Sequence, residues 1–459
     1  MLISSLIISV LGILQLLGVD PFRWPSVQKL ILPTSLYAQR EALGTPLGSQ
    51  ALSSTLYNPN YVGSYMAMLI PLTLGRALLV KSRCMRLVLA SLMLMQLFAL
   101  FGCQSRAGVL ATVCGVAVLL WVLRRRVWCY RSELTVAAAI IVGAVLGLNA
   151  YTGGTLLSPL RSLLSEARAI RTGETASVRL VRVVAEGNSL ICETTRETLL
   201  IKHVDGQLSV EAEDGHQMPL VADRESDGLR IGDPEYASYR LNIYPNNLLE
   251  VRRTGFSPLR FRWASTGFEI IDDRGRPLSD AHVGTTDAWD TLGSGRVYIW
   301  RRSIAMLLET AVVGRGPDTF ALHFPQDELI AKVNIYGQTS VVIDKPHSLY
   351  LQTAIQTGVV SLLALLWLFA VYVRQSCQLY VWSEAPLPHV ALGAPLFAAF
   401  CGYAVAAIFN DSVISVAPVF WVVLGLGIAV NRSANAVRDH AAGPPAGSST
   451  RWLHRPSSS

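Results

Sequence analysis

The chain has 459 residues, of which 51% are hydrophobic and 15% charged, against roughly 25% charged in soluble domains, and its mean hydropathy is +0.39. This composition excludes an ordinary soluble globular protein and points to a chain embedded in lipid. The formal net charge of +7 does not indicate nucleic-acid binding, because Lys and Arg are spread over short loops and no basic patch interleaved with aromatics occurs.

Apolar runs that reach, or nearly reach, the length needed to cross about 30 Å of hydrocarbon are Leu2 to Leu17, Tyr61 to Val80, Leu87 to Gly102, Ala107 to Leu123, Leu134 to Leu148, Ala354 to Val373, Ala391 to Phe409 and Val416 to Val430. The basic clusters Lys81, Arg83, Arg86 and Arg124, Arg125, Arg126, Arg131 are expected in cytoplasmic loops. Threading the helices from a cytoplasmic C-terminal tail places both clusters inside, Ser105 and Asn410 to Ser412 at outer turns, and everything from Asn149 to His347 outside. The first segment has no basic flank before it and is followed by Arg23, Lys29 and Arg40, so its orientation is open. With no Lys or Arg at its start and no A-x-A site after it, it reads as a retained helix rather than a cleaved signal.

From about Arg161 to Asp290 the texture changes to short alternations at Val178 to Val184, Ser189 to Thr194, Leu199 to Val204 and Gln207 to Glu213. Turn signals at Glu186-Gly187, Asp205-Gly206 and Asp214-Gly215 predict a meander of hairpins and a small autonomous β-rich domain. Of the seven cysteines, only Cys192 lies in this insert, which excludes an internal disulfide there, and no pair has metal-ligand spacing. Cys192 is therefore expected to report from outside and Cys129, beside the second basic cluster, from inside.

The expected fold is an α-helical polytopic membrane protein of about eight transmembrane helices with a β-rich extracytoplasmic insert. Its divisions are an N-terminal transmembrane bundle at 1–149, the insert at 150–292, an extracytoplasmic loop carrying the candidate site at 293–353, C-terminal transmembrane helices at 354–430 and a disordered cytoplasmic tail at 431–459.

Three polar positions fall on the expected outer side. Arg106 lies in Ser105-Arg106-Ala107-Gly108, Arg296 in Gly293-Ser294-Gly295-Arg296 before Trp300, and His347 in Lys345-Pro346-His347-Ser348. Arginine at a membrane boundary is costly unless it snorkels or meets an anion, and its fork suits a phosphate. Arg106 also reads as an anchor of a tight outer turn that reaches lipid headgroups, and Arg296 as a basic residue opening an amphipathic stretch. The imidazole of His347 is a candidate base for an acceptor hydroxyl, with Asp344 placed to orient it, or an interfacial histidine bound to a backbone carbonyl.

Asn58-Pro59-Asn60-Tyr61 opening a helix, Ser105-Arg106-Ala107-Gly108, Ser294-Gly295-Arg296 to Trp300, Val313-Gly314-Arg315-Gly316-Pro317-Asp318-Thr319-Phe320, and His347-Ser348-Leu349-Tyr350-Leu351-Gln352 with Gly358 occur in this order. In order and topology they resemble the O-antigen ligase and polymerase (Wzy_C-type) family, over most of the chain outside the insert. The resemblance implies a metal-independent, cofactor-free glycosyltransferase in the cytoplasmic membrane of a bacterium. Its donor would be a glycan on undecaprenyl diphosphate, and its acceptor a lipid-anchored glycan, a further repeat unit or a protein side chain at the outer face.

By the same resemblance Arg106 and Arg296 hold the diphosphate, Asn58, Asn60 and Arg315 also bind substrate, and His347 activates the acceptor or binds the donor. The chain departs from the pattern in having fewer N-terminal helices, Ser348 where Asn is more usual, and an insert interrupting the loop. Two other readings stay open. One is a transporter, against which stands the near absence of ionisable residues at mid-membrane; the other is a non-catalytic anchor displaying the β-domain.

Overall fold

The computed structural model describes residues 1–38, 51–128, 178–204, 207–223, 228–256, 258–264, 266–272, 275–278, 288–383 and 387–441, with isolated positions between 132 and 161. It divides into two compact units, Met1–Arg161 with Leu363–Ser459, and Ser162–Leu362.

In the first unit, side-chain caps start the helices by satisfying backbone N–H groups left over in the first turn. Asn58 accepts from the Asn60 N–H ahead of Pro59 and opens Pro59–Leu79. Ser82 opens Arg83–Gly102, and Ser105 opens Arg106–Val122. Among the described residues five helices are long and apolar enough to cross a membrane: Pro59–Leu79, Arg83–Gly102, Val359–Trp382, Leu387–Phe409 and Ala417–Arg438. Leu2–Leu16 and Arg106–Val122 are shorter apolar helices, and the expected segment Leu134 to Leu148 lies outside the described residues except at isolated positions. Of the eight expected spans, five thus qualify among the described residues and two are present as shorter apolar helices.

Pro59–Leu79, Arg106–Val122 and Leu387–Phe409 pack against one another through small residues, the usual route to close approach where lipid offers no hydrophobic drive. A Cβ on Gly108 would lie 2.5 Å from the Cα of Gly63. Two prolines contribute through the carbonyls they leave unbonded four residues earlier. Pro71 frees Ala67, whose oxygen would be 2.4 Å from a Cβ on Gly402, and Pro395 frees Ala391, whose oxygen accepts from Arg76 Nη1 at 3.5 Å.

Two boundaries differ from expectation. The span expected to open at Ala354 is cut by Gly358 at φ 103°, which ends the amphipathic helix Leu349–Thr357 before Val359–Cys377 begins. The last helix continues past Val430 to Ala441, so residues 431–441 are helical rather than a disordered tail. Asn431 is fully buried there, accepting from Tyr380 Oη at 2.6 Å and donating to Ser376 Oγ at 2.9 Å.

The second unit holds two antiparallel meanders. β1 (Leu180–Glu186), β2 (Ser189–Thr194), β3 (Thr198–Val204), β4 (Gln207–Ala212) and β5 (Gln217–Met218) form one. β6 (Leu220–Ala222), β7 (Leu229–Ile231), β8 (Tyr239–Tyr244), β9 (Leu248–Arg253), β10 (Leu259–Ala264) and β11 (Gly267–Ile271) form the other. Hairpins turn at Gly187 and Gly215 as expected, while Asp205-Gly206 lies outside the described residues.

Alternation sends Leu190, Cys192, Leu199 and Ile201 from the first sheet and Leu241, Leu249, Val251 and Phe261 from the second into one buried core. Each such aliphatic or aromatic side chain contributes about 1.5–3 kcal/mol on burial. Cys192, expected to be accessible, is instead 1% exposed and its thiol is pushed up to about 12 by burial. Cys129 lies outside the described residues.

This core is closed by a helix from beyond the expected insert. Leu329, Ile330 and Val333 of Leu329–Tyr336 belong to the same cluster. Asn334 pins β1 by donating to the Leu180 carbonyl and accepting from its N–H, both at 2.8 Å.

Candidate functional site

The expected site residues divide between the two units. In the first, Ser105 Oγ donates to Asn60 Oδ1 at 3.0 Å and accepts from Gly108 N–H at 3.2 Å, which joins the starts of Pro59–Leu79 and Arg106–Val122. Ser64 Oγ donates to the Asn60 carbonyl at 3.1 Å and accepts from Asn410 Nδ2 at 3.1 Å. Asn58, Asn60, Ser105 and Asn410 therefore gather at one end of this unit, with Asp411 buried beside Asn410. Arg106 is the first residue of its helix, on the scaffold that this network makes rigid. Asn58 and Asn60 spend their side-chain oxygens on caps and helix joining.

In the second unit the geometry around Arg296 and His347 is set by backbone bends. Gly293, Ser294 and Gly295 have φ of 61°, 59° and 83°, three left-handed residues in succession, so regular helix begins only at Arg296. Left-handed backbone suits glycine but not Ser294, and a Cβ on Gly295 would also lie 2.7 Å from Tyr336 Oη. Arg296 Nη1 donates to the Gly293 carbonyl at 3.0 Å, folding the guanidinium back over the turn.

Tyr336 packs across this turn. Burial raises its hydroxyl to about 12, with the Arg296 guanidinium pulling the other way, so it stays a protonated donor at neutral pH. Its Oη is buried with no hydrogen-bond partner among the described residues.

His347 has φ 51°, a left-handed conformation costing a non-glycine residue about 1–2 kcal/mol. Its segment is held on both sides. Gln326 accepts from the Ile343 N–H at 3.2 Å and donates to the Ile343 carbonyl at 2.7 Å. Trp300 Nε1 donates to the Pro346 carbonyl at 3.1 Å. Trp300 stands four residues after Arg296 and so shares its helix face, which brings Arg296 and the residue before His347 onto one side of the same helix. Ser348, buried, is the N-cap residue of Leu349–Thr357.

Arg315 is placed elsewhere. Its N–H bonds the Ile355 carbonyl at 2.8 Å and that of Gly316 bonds Gln356 at 3.0 Å, so the Gly314-Arg315-Gly316 loop caps the C-terminal end of the helix whose N-terminal end carries His347. The two ends are separated by about 10 Å at 1.5 Å rise per residue. The Arg315 side chain pairs with Glu309.

Sequence reading missed three members of this loop: Tyr298, Arg302 and Glu328. Glu328 accepts from Tyr298 Oη at 2.9 Å and Arg302 Nε at 3.0 Å, and burial followed by the Glu328 charge pushes the Tyr298 hydroxyl up. The i, i+4 spacing of Tyr298 and Arg302 was the available signal. Among the described residues no group of three or more His, Cys, Asp and Glu side chains is arranged to hold a metal ion.

The apolar helices define a multi-pass membrane protein. Residues 261–366 match the family model Wzy_C, described as O-antigen ligase, which supports an O-antigen ligase-type membrane protein of polysaccharide biosynthesis. No curated protein and no solved structure matches the chain. The matched segment contains Arg296, Arg315 and His347, whereas Asn58, Asn60 and Arg106 lie outside it.

Proposed function

We propose that this protein is a glycosyltransferase of O-antigen ligase type, moving or polymerising a glycan from an undecaprenyl-diphosphate donor to an acceptor at the outer face of the bacterial cytoplasmic membrane. The carrying observation is the hydrogen bond from Trp300 to Pro346 within the matched segment, which couples the helix of Arg296 to the bent backbone of His347. His347 takes the proton of the acceptor hydroxyl as the sugar C1 to phosphate oxygen bond breaks and the new glycosidic bond forms. Arg106 and Arg296 hold the leaving diphosphate, their forks stabilising charge that grows as the bond breaks, without a metal. Asn58, Asn60 and Arg315 are proposed as secondary substrate contacts, through side-chain atoms other than those used in the caps, the helix joint and the Glu309 pair.

The test is transfer from a lipid-linked glycan by purified full-length protein, with and without chelator. Lys at Arg106 or Arg296 keeps charge but loses the fork and should lower transfer at unchanged membrane abundance, with Ala lower still. His347→Ala should abolish transfer, while His203→Ala and His216→Ala should leave it nearly intact. Wild-type turnover in both His347→Ala and Arg296→Ala would remove this reading and leave the anchor.

A further inference from the structure

The outward face of the second sheet carries an arginine ladder that the transfer chemistry does not use. Strand pairing sets Arg230 opposite Arg240, and Arg240 opposite Arg252, so one arginine stands on each of three adjacent strands at a spacing of about 4.8 Å. In the neighbouring rows Glu250 faces Asn242 and Arg260, and Arg262 faces Leu248 and Glu269. Alternation keeps all of these on the face opposite Leu241, Leu249, Val251 and Phe261, which fill the core.

Glu250 turns this row into a fixed surface. It is 2% exposed and accepts from Arg252 Nε at 2.6 Å and from Arg260 Nε at 3.1 Å. Both stems are anchored from below, yet the Arg252 side chain remains 51% exposed. Arg240, paired with Asp223 at 3.3 Å, remains 45% exposed.

Arginine supplies 34 of the 39 basic residues of the whole chain, so the ladder is distinguished by its strand-to-strand alignment and its anchoring on Glu250. Arginine alone offers a planar fork matched to carboxylate oxygens. A lipid surface would also call for exposed apolar anchors among the charges. Among the described residues of the ladder strands, the exposed large apolar side chains on this face are Val221 and Tyr244, with a strand between theirs, while Leu248 is only partly exposed.

We propose that this face binds an extended acidic glycan strand, its uronate-type carboxylates taken by the ladder Arg230, Arg240 and Arg252. The surface acts by binding alone, so it stands or falls independently of the transfer reaction.

The experiment measures affinity of full-length protein, in phosphatidylcholine nanodiscs, for oligogalacturonate, with neutral dextran oligosaccharide as comparison. Wild type should bind the first and not the second, more weakly as salt rises. Arg230→Gln with Arg252→Gln should weaken binding roughly tenfold or more, from the loss of two charge-assisted contacts. Arg182→Gln with Arg196→Gln, on the other sheet, should leave it unchanged. Near-ultraviolet circular dichroism checks the fold. If the glutamine pair is misfolded, lysine at both positions carries the test, expected to bind more weakly than wild type despite equal charge. Absence of oligogalacturonate binding, equal affinity in the ladder variants, equal loss in the control pair, or preferential capture of phosphatidylglycerol vesicles through the same arginines would each overturn the proposal.

Discussion

Trp300 donates its indole N–H to the carbonyl of Pro346 at 3.1 Å, four residues after Arg296 and one residue before His347. Trp300→Phe keeps a six-membered aromatic ring and removes the N–H donor together with the pyrrole part of the indole. With a neutral hydrogen bond contributing about 1 kcal/mol, transfer should fall roughly fivefold at equal membrane abundance. kcat/KM with a lipid-linked glycan is the measurement, and an unchanged value would uncouple the tryptophan from the site.

Burial of Cys192 removes it as a reporter of sidedness. The native thiol should resist a membrane-impermeant maleimide until the domain is unfolded. Asn188→Cys, on the exposed β1–β2 hairpin, should label in intact or wall-stripped cells if the β-domain is extracytoplasmic. Protection of Asn188→Cys with labelling only after lysis would invert the proposed orientation.

The closing helix sets where the β-domain ends. A fragment of residues 178–290 lacks Leu329, Ile330, Val333 and the Asn334 pin, and should not melt cooperatively. Residues 178–337 should do so with a β-type circular dichroism spectrum. Within the longer fragment Ile330→Ala should cost about 2–5 kcal/mol, read from urea unfolding. Equal stability of the two fragments would show that the helix is a passenger.

Glu250 makes that stability depend on pH. Burial alone would raise its carboxyl, but the hydrogen-bonding guanidiniums of Arg252 and Arg260 leave it below the usual range. A carboxylate depressed in the folded state stabilises above its unfolded value of about 4.3, and that gain is lost as pH falls through the lower folded value. The melting temperature of residues 178–337 should exceed that of its Glu250→Gln variant at neutral pH, and the gap should close on acidification below about pH 4. A gap independent of pH would sink the assignment.

The parts legible in the sequence are those whose signal is local. β2 and β3 alternate over a whole strand between turn residues, and the long helices show as uninterrupted apolar runs. β7, three residues long, carries too few positions for a period to appear. Gly358 is hidden inside an apolar stretch, because only its φ of 103° reveals that two helices meet there. Leu329–Tyr336 was unreadable as part of the β core, since its partner Leu180 is 154 positions from Asn334. At the site, the motifs around Arg296 and His347 were visible as residue types. Arg315 drew attention by its charge, whereas its loop works through backbone N–H groups that any residue possesses.

The family match opens at residue 261, inside β10, while β9 on the other side of a short turn supplies the ladder for that strand. A splice at the edge of the match would therefore cut the second sheet between hydrogen-bonded neighbours and strand the two last strands with a foreign scaffold. Grafting this domain onto another membrane protein, or replacing it with a short linker, calls for joints near residues 178 and 337, carrying the Arg296 turn along with it. The β-domain and half of the candidate site travel as one transplantable piece.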